Sequence, residues 1–172
     1  MLKGKKVILK SMEKKEVPTI YNILCDREVR EFDGAYLILP GKDYIIENFN
    51  ELTSGSTKYL TIVNEKGLVI GYMTYRECKD SINVYSIGIT IGKNFWSKGY
   101  GQDSVNTLLN YLFLDRGAMR VELEVVDLNE KAINCYKKCG FQEEGRKRNR
   151  YFIHGKYTNV VIMGILKEDF KE

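Results

Sequence analysis

The chain has 172 residues, 44% hydrophobic and 29% charged, and its 27 basic and 23 acidic side chains leave a formal net charge of +4. That composition excludes a disordered chain, and no apolar run reaches the ~18 residues of a membrane-spanning helix. The surplus of base is too small to imply a nucleic-acid protein by itself, and the length is most simply one domain over residues 1–172.

The opening stretch, MLKGKKVILKSMEKK, has no apolar segment followed by small residues, so no secretory signal is expected. Lys6–Lys10 reads as a short strand, and Ser11 opens a helical segment with Val17, Ile20, Tyr21 and Leu24 on one face. Pro18 belongs in the first turn of that helix. Residues Arg27–Pro40 show no period and contain the turn pair Asp33-Gly34, yet carry Phe32, Tyr36, Leu37 and Leu39. Such a segment either packs as a lid over the core or lines a substrate pocket, and both readings stay open. A second helix follows Gly41, with Ile45, Phe49 and Leu52 aligned.

Three strands come next: Lys58–Val63, Leu68–Glu77 and Asn83–Ile91, the first two joined by a turn at Asn64-Glu65-Lys66-Gly67. Ile87, Ile89 and Ile91 alternate at strand period, while Val105, Leu108, Leu109 and Leu112 have the spacing of a helix face. Between them, Lys98-Gly99-Tyr100-Gly101 is a glycine turn leading straight into the helix. Such a turn leaves backbone N–H groups bare at the positive end of the helix dipole, which is an anion site. Gly88 and Gly92 weaken the preceding strand and permit a bulge or a close ligand approach.

Arg116-Gly117 closes the long helix, and Val121–Val126 is the next strand. Asn129 then serves as an N-cap, with Ala132, Ile133, Tyr136 and Cys139 as the buried stripe of a helix ended by Gly140. A hairpin of Gln142–Ile153 and Lys156–Leu166 turns at His154-Gly155. The expected fold is α/β, a mixed sheet of about seven strands flanked by about four helices, with a β-α-β crossover carrying the glycine turn.

The string ITIGKNFWSKGYG, with LNEKAINCYKKCGF some thirty residues later, resembles the GNAT superfamily of N-acetyltransferases, and within it the RimJ/RimL group and its polyamine-acetylating relatives. Superfamily members carry R/Q-x-x-G-x-G/A, and here Trp96 stands where Arg or Gln is usual. The second motif, N-x-x-A-x-x-x-Y-x-x-x-G-F, is complete in Asn129, Ala132, Tyr136, Gly140 and Phe141. The resemblance implies a GNAT-type twisted sheet splayed between its fourth and fifth strands, acetyl-CoA as co-substrate and no metal.

It also implies residue roles. The coenzyme A pyrophosphate would sit on the amides of Lys98, Gly99, Tyr100, Gly101 and Gln102, and the pantetheine arm would pair with the backbone of Ile87, Ile89 and Ile91. Asn129 would contact the arm in addition to capping its helix. Tyr136 would be the catalytic residue, since a phenol of pKa about 10 keeps its proton at neutral pH and can donate it to a thiolate whose acid form has a pKa of about 8.5.

The general base departs from the group. The position two before Gly88 is often acidic in RimJ/RimL-like proteins, and here it is Ser86. Deprotonating an α-amine at pH 7 costs about 1 kcal/mol and a lysine-like amine about 4.6, so a missing carboxylate favours a low-pKa amine. A polyamine would need another carboxylate, with Glu31, Asp33, Glu77 and Glu124 as candidates.

Arg146-Lys147-Arg148-Asn149-Arg150 reads as a solvated strand with side chains alternating between faces in preference to a nucleic-acid site. Among Tyr72, Tyr75, Tyr85, Tyr151, Phe152 and Tyr157, most belong to core or sheet surface and one or two frame the acceptor tunnel. Cys25, Cys78, Cys135 and Cys139 lack metal-type spacing and read as reduced thiols of a cytoplasmic protein. Cys135 and Cys139 flank Tyr136, but His154 is the single histidine and no base is at hand for an acyl-enzyme. The expected protein is therefore an acetyl-CoA-dependent N-acetyltransferase acting by direct transfer to a small-molecule or peptide amine. A polyamine acetyltransferase and a non-catalytic acyl-CoA-binding module are the alternatives. No membrane partner is expected, and there is room for a homodimer.

Overall fold

The computed structural model describes residues 1–32 and 38–171. Eight strands form one mixed sheet: β1 (Leu2–Lys3), β2 (Val7–Ser11), β3 (Lys58–Asn64), β4 (Val69–Glu77), β5 (Val84–Ile91), β6 (Arg120–Val126), β7 (Gln142–Ile153) and β8 (Lys156–Leu166). Their spatial order is β1-β2-β3-β4-β5-β6-β8-β7. The count exceeds the expected seven because two residues before Gly4 pair antiparallel with β2, Leu2 opposite Leu9 and Lys3 opposite Ile8. All neighbours are antiparallel except β5 and β6, which the crossover helix makes parallel.

Among the described residues six α-helices flank the sheet: α1 (Val17–Cys25), α2 (Arg27–Phe32), α3 (Lys42–Glu47), α4 (Phe49–Thr53), α5 (Tyr100–Asn110) and α6 (Glu130–Lys138). Two differences from expectation account for the added helices. Residues Arg27–Phe32 are helical because the Asp26 carboxylate accepts the N–H groups of Glu28 at 2.9 Å and Val29 at 3.4 Å, a cap that outweighs the missing period. The helix after Gly41 breaks at Asn48, whose side chain donates to the Tyr44 carbonyl at 2.8 Å. The turn pair Asp33-Gly34, with Tyr36 and Leu37, lies outside the described residues.

The main core is the face of the sheet covered by α5, where Val105, Leu108, Leu109 and Leu112 pack with Leu9, Ile62, Met73, Val121 and Met163. All of these are fully buried, as the helical spacing of the sequence requires. α5 continues through a π turn, Tyr111–Asp115, before Gly117 (φ 68°) ends it. On the opposite face the α1 segment is tied down by buried Glu16, which accepts the Thr61 hydroxyl at 2.7 Å. A smaller cluster of Val126, Ile153 and Val160, with Phe32 and Tyr151 against it, lies apart from the main core.

The sheet opens where it matters. β5 pairs with β6 only from Val84–Ser86 to Arg120–Glu122. Beyond that rung the strands diverge, so Ile87–Ile91 is paired with β4 on one side and, among the described residues, has no strand on the other. The expected splay is thus present. Of the bulge or close ligand approach that Gly88 and Gly92 permit, the bulge is absent: the register of β5 with β4 is unbroken, and Gly92 caps a short 3-10 turn, Lys93–Phe95. Irregular pairing falls elsewhere, between Ile62 and Val63 on β3 and at two places on β7, the first between Glu143 and Gly145 and the second between Lys147 and Tyr151. The second displaces Arg148, Asn149 (φ 51°) and Arg150 from the ladder, so the basic run does not alternate as a regular strand.

Candidate active site

Where β5 and β6 part, a cleft of about 710 Å³ opens. Its walls come from the unpaired edge of β5, the start of α5, the body of α6 and the end of β6.

The turn before α5 is held by three unlike contacts. Gly99 adopts φ 85°, a left-handed conformation that costs a side-chain-bearing residue about 1–2 kcal/mol. Trp96 Nε1 donates to the Ile91 carbonyl at 2.6 Å, closing the loop on the end of β5. Asp103 reaches from the first turn of α5 to accept the backbone N–H groups of Lys5, Lys6 and Val7 at 3.1, 2.6 and 3.0 Å. The helical ladder begins with the Asp103 N–H bonded to the Gly99 carbonyl at 3.0 Å, so the amides of Tyr100, Gly101 and Gln102 have no helical acceptor. A Cβ at Gly101 would stand 3.6 Å from both Cys135 Sγ and Ile91 Cδ1, inside the space where the cleft meets the turn. These features fit an anionic ligand approached by backbone donors.

The residues marked from sequence divide cleanly. Ile87, Ile89, Ile91, Gly99, Gly101, Gln102, Asn129 and Tyr136 all line the cleft. Lys98 and Tyr100 do not: Lys98 Nζ donates to the Asn94 carbonyl at 2.7 Å, and the Tyr100 hydroxyl donates to Glu65 at 2.8 Å beneath the turn. Side chains on neighbouring positions of a turn diverge, so these two residues have only their backbone to offer.

α6 supplies the hydroxyl. Asn129 Oδ1 accepts the Ala132 N–H at 3.1 Å, the expected N-cap, and Gly140 takes φ 95° just past the helix end. Tyr136 is 7% exposed, its ring 5.9 Å from Phe141. The adjacent Cys135 thiol is drawn below its ordinary pKa by a hydrogen bond from Cys139 against the opposing effect of burial, and that bond together with burial pushes Cys139 far up. Neither has an imidazole beside it, since His154 sits 3.6 Å from Glu31 and is not among the lining residues. Among the described residues no group of three His, Cys, Asp or Glu side chains is placed to hold a metal.

Of the remaining wall, Phe32 and Tyr151 were among the candidates the sequence offered, whereas Val29, Val126 and Val160 were not read from it. Val29 and Phe32 of α2, Val126, Tyr151 and Val160 form that wall, and the signal for Phe32 was an apolar residue in a segment without period. Tyr151 is the strand aromatic that frames the cleft, whereas Phe152 and Tyr157 stack on each other at 5.1 Å in solvent. Ser86 remains within the paired part of the sheet, between Arg76 and Glu122. Of the carboxylates proposed in its place, Glu77 accepts the Asn83 N–H at 3.1 Å, Glu31 lies beside His154, and Asp33 falls outside the described residues. Glu124 lines the cleft, ion-paired with Lys147.

A glycine turn with bare backbone amides and Tyr136 therefore share one cleft through a splayed sheet. The family model described as the acetyltransferase (GNAT) domain matches residues 6–142. The chain belongs to the GNAT acetyltransferase family. It is an N-acetyltransferase with acetyl-CoA as co-substrate. Among GNAT relatives, it is 26% identical to the spermidine N(1)-acetyltransferase of Vibrio cholerae, with 94% of each chain covered. It is 25% identical to the N-acetyltransferase p20 of Bacillus licheniformis over 96% of this chain and 95% of that one. The crystal structure of the Vibrio cholerae spermidine N-acetyltransferase in complex with CoA and spermine superposes with a TM-score of 0.84 at 24% identity, covering 95% of this chain and 96% of the other. A GNAT acetyltransferase from Bacillus anthracis gives 0.83 at 15% identity, covering 97% and 98%.

Proposed function

We propose that residues 1–172 act as one domain that transfers the acetyl group of acetyl-CoA to a primary amine by direct attack within a ternary complex. The observation that carries this reading is that a single cleft joins the start of α5 to Tyr136 through the gap between β5 and β6. In it, the amides from Lys98 to Gln102 hold the pyrophosphate, with glycine at 99 and 101 allowing close approach. The open backbone edge of Ile87, Ile89 and Ile91 accepts the pantetheine arm as an added strand, and Asn129 borders its path.

Val29 and Phe32 of α2 and Gly101 and Val105 of α5 line the same cleft, so an amine can reach the thioester from the α2 side while the coenzyme occupies the α5 side. The amine nitrogen forms its bond to the carbonyl carbon, the carbon–sulfur bond breaks, and Tyr136 gives its proton to the departing sulfur. The ammonium proton lost before attack goes to solvent, and the second proton, shed by the nitrogen as the amide forms, restores the Tyr136 phenol. Direct attack is supported over an acyl-enzyme because Cys135 has no neighbouring base. The test is Tyr136→Phe: kcat should fall at least a hundredfold while acetyl-CoA binds as in the parent. Unchanged turnover would remove Tyr136 from the chemistry. Tight acetyl-CoA binding without turnover on any amine would favour the non-catalytic alternative.

A polyamine acceptor is the second reading. It is favoured by the spermidine acetyltransferases among the relatives and by the carboxylate of Glu124 in the cleft.

A further inference from the structure

Glu124 is the single carboxylate among the described residues that line the cleft. The strand register fixes its position. Glu122 forms the last rung with Ser86, and Glu124, two residues on and therefore on the same face of β6, stands where the strands have begun to part. Val126 follows on that face and belongs to the small cluster with Phe32 and Tyr151, apart from the main core beneath α5. The same wall of the cleft carries Val29, Phe32, Val126, Tyr151 and Val160, while the cations Lys131 and Lys138 line it from α6. An apolar wall with one carboxylate matches an alkyl chain bearing a cationic amine.

The charge is already occupied. Lys147 on β7 is ion-paired with Glu124, and their side chains are 43% and 48% exposed. A pair this exposed is held weakly, and its lysine has solvent to move into. Lys147 is also the last residue before the register of β7 with β8 breaks, so the ladder continues from it on one side only.

We infer that Glu124 anchors the positive charge of the acceptor amine, and that Lys147 is the cation the acceptor displaces. This deepens the acetyltransferase reading and rests on it for the identity of the ligand. Lys147 neutralises Glu124 while the channel is empty, and an arriving ammonium exchanges one ion pair for another. A neutral chain of equal length gains nothing from Glu124, so the pair selects for charge.

The test is calorimetry on CoA-loaded protein at neutral pH with hexylamine and 1-hexanol, ligands of equal chain length and different charge. Hexylamine should bind at least tenfold tighter than 1-hexanol. Glu124→Gln should abolish that preference, and Lys147→Met should tighten hexylamine severalfold by removing the competitor. In the Glu124→Gln background, Lys147→Met should have no effect on hexylamine. Hexylamine that binds no better than the alcohol, a preference that survives Glu124→Gln, or weaker binding in Lys147→Met overturns the assignment. Acetyl transfer is followed separately. Charge selection by Glu124 without transfer to any amine would count against the acetyltransferase reading alone. Transfer that is indifferent to Glu124→Gln would count against this inference alone.

Discussion

The carboxylate of Asp103 accepts the backbone N–H of Lys6 at 2.6 Å, joining the first turn of α5 to the start of β2 across almost a hundred residues of sequence. The same carboxylate takes the N–H groups of Lys5 and Val7, and Lys6 Nζ returns a bond to the Lys98 carbonyl at 2.9 Å. Asp103 thus satisfies three backbone donors at the beginning of a strand while placing negative charge at the positive end of α5. Asp103→Ala should cost about 2 kcal/mol, since each hydrogen bond to a charged group contributes about 1.5–3 and these are partly solvated. Urea denaturation measures the loss. Acetyl-CoA affinity should also fall, because the glycine turn is anchored through the same contacts.

Gly101 separates stability from binding. A Cβ there meets Cys135 Sγ and Ile91 Cδ1 at 3.6 Å, ordinary contact distance, and the position is helical. Gly101→Ala should therefore leave the fold intact or stabilise it by about 0.5 kcal/mol. Acetyl-CoA affinity should nonetheless drop at least tenfold, because the added methyl stands between backbone and ligand. A thermal melt paired with a binding isotherm checks both signs. Retained affinity would move the anion seat away from this turn.

Trp96 is the only tryptophan in the chain, and it lines the cleft with Lys131 Nζ 5.5 Å from its ring centre and the Phe32 ring 6.4 Å away. Acetyl-CoA binding should change its emission in a saturable way. Trp96→Phe should lose that signal and, with it, the Nε1 bond to Ile91, at a cost of about 1 kcal/mol in stability. An emission spectrum indifferent to saturating acetyl-CoA would mean that the ligand does not enter this part of the cleft.

Acid should loosen the face of the sheet covered by α1. Lys10 Nζ lies 2.6 Å from Glu13 and 2.8 Å from Glu16, and its hydrogen bond to Glu13, followed by that from Lys15, holds the Glu13 carboxyl down at about 2. A carboxyl whose folded pKa is lower than its unfolded value of about 4.3 stabilises the fold above that pH. The contribution is lost as pH falls from about 4.3 toward 2. Urea midpoints for the parent and Glu13→Gln should differ at pH 6 and converge by pH 2. A constant difference over that range would remove the ion pair as the cause.

The order of elements was legible because each followed from a local rule. Seven strands were placed within a residue or two by alternation and turn residues, and α5 and α6 by their apolar stripes, with Asn129 and Gly140 at the ends of α6 as capping requires. What failed depended on contacts that have no period. α2 rests on a single Asp26 cap, β1 on two rungs with β2, and the displaced residues of β7 on pairing with a partner strand.

The candidate site divides along the same line. Gly99, Gly101, Asn129 and Tyr136 stand out in the sequence because a left-handed turn, a bare helix start, an N-cap and a family motif each restrict the residue type. That Lys98 and Tyr100 turn their side chains away while Phe32, Glu124 and Tyr151 turn theirs in was settled only by the tertiary structure. The reason is physical: a helix start carries its binding groups in its own backbone, whereas the far wall of the cleft is assembled from α2, β6, β7 and β8, whose separation in sequence hides their meeting in space. The sequence by itself determined the family and the coenzyme. Folding decided which carboxylate lines the cleft.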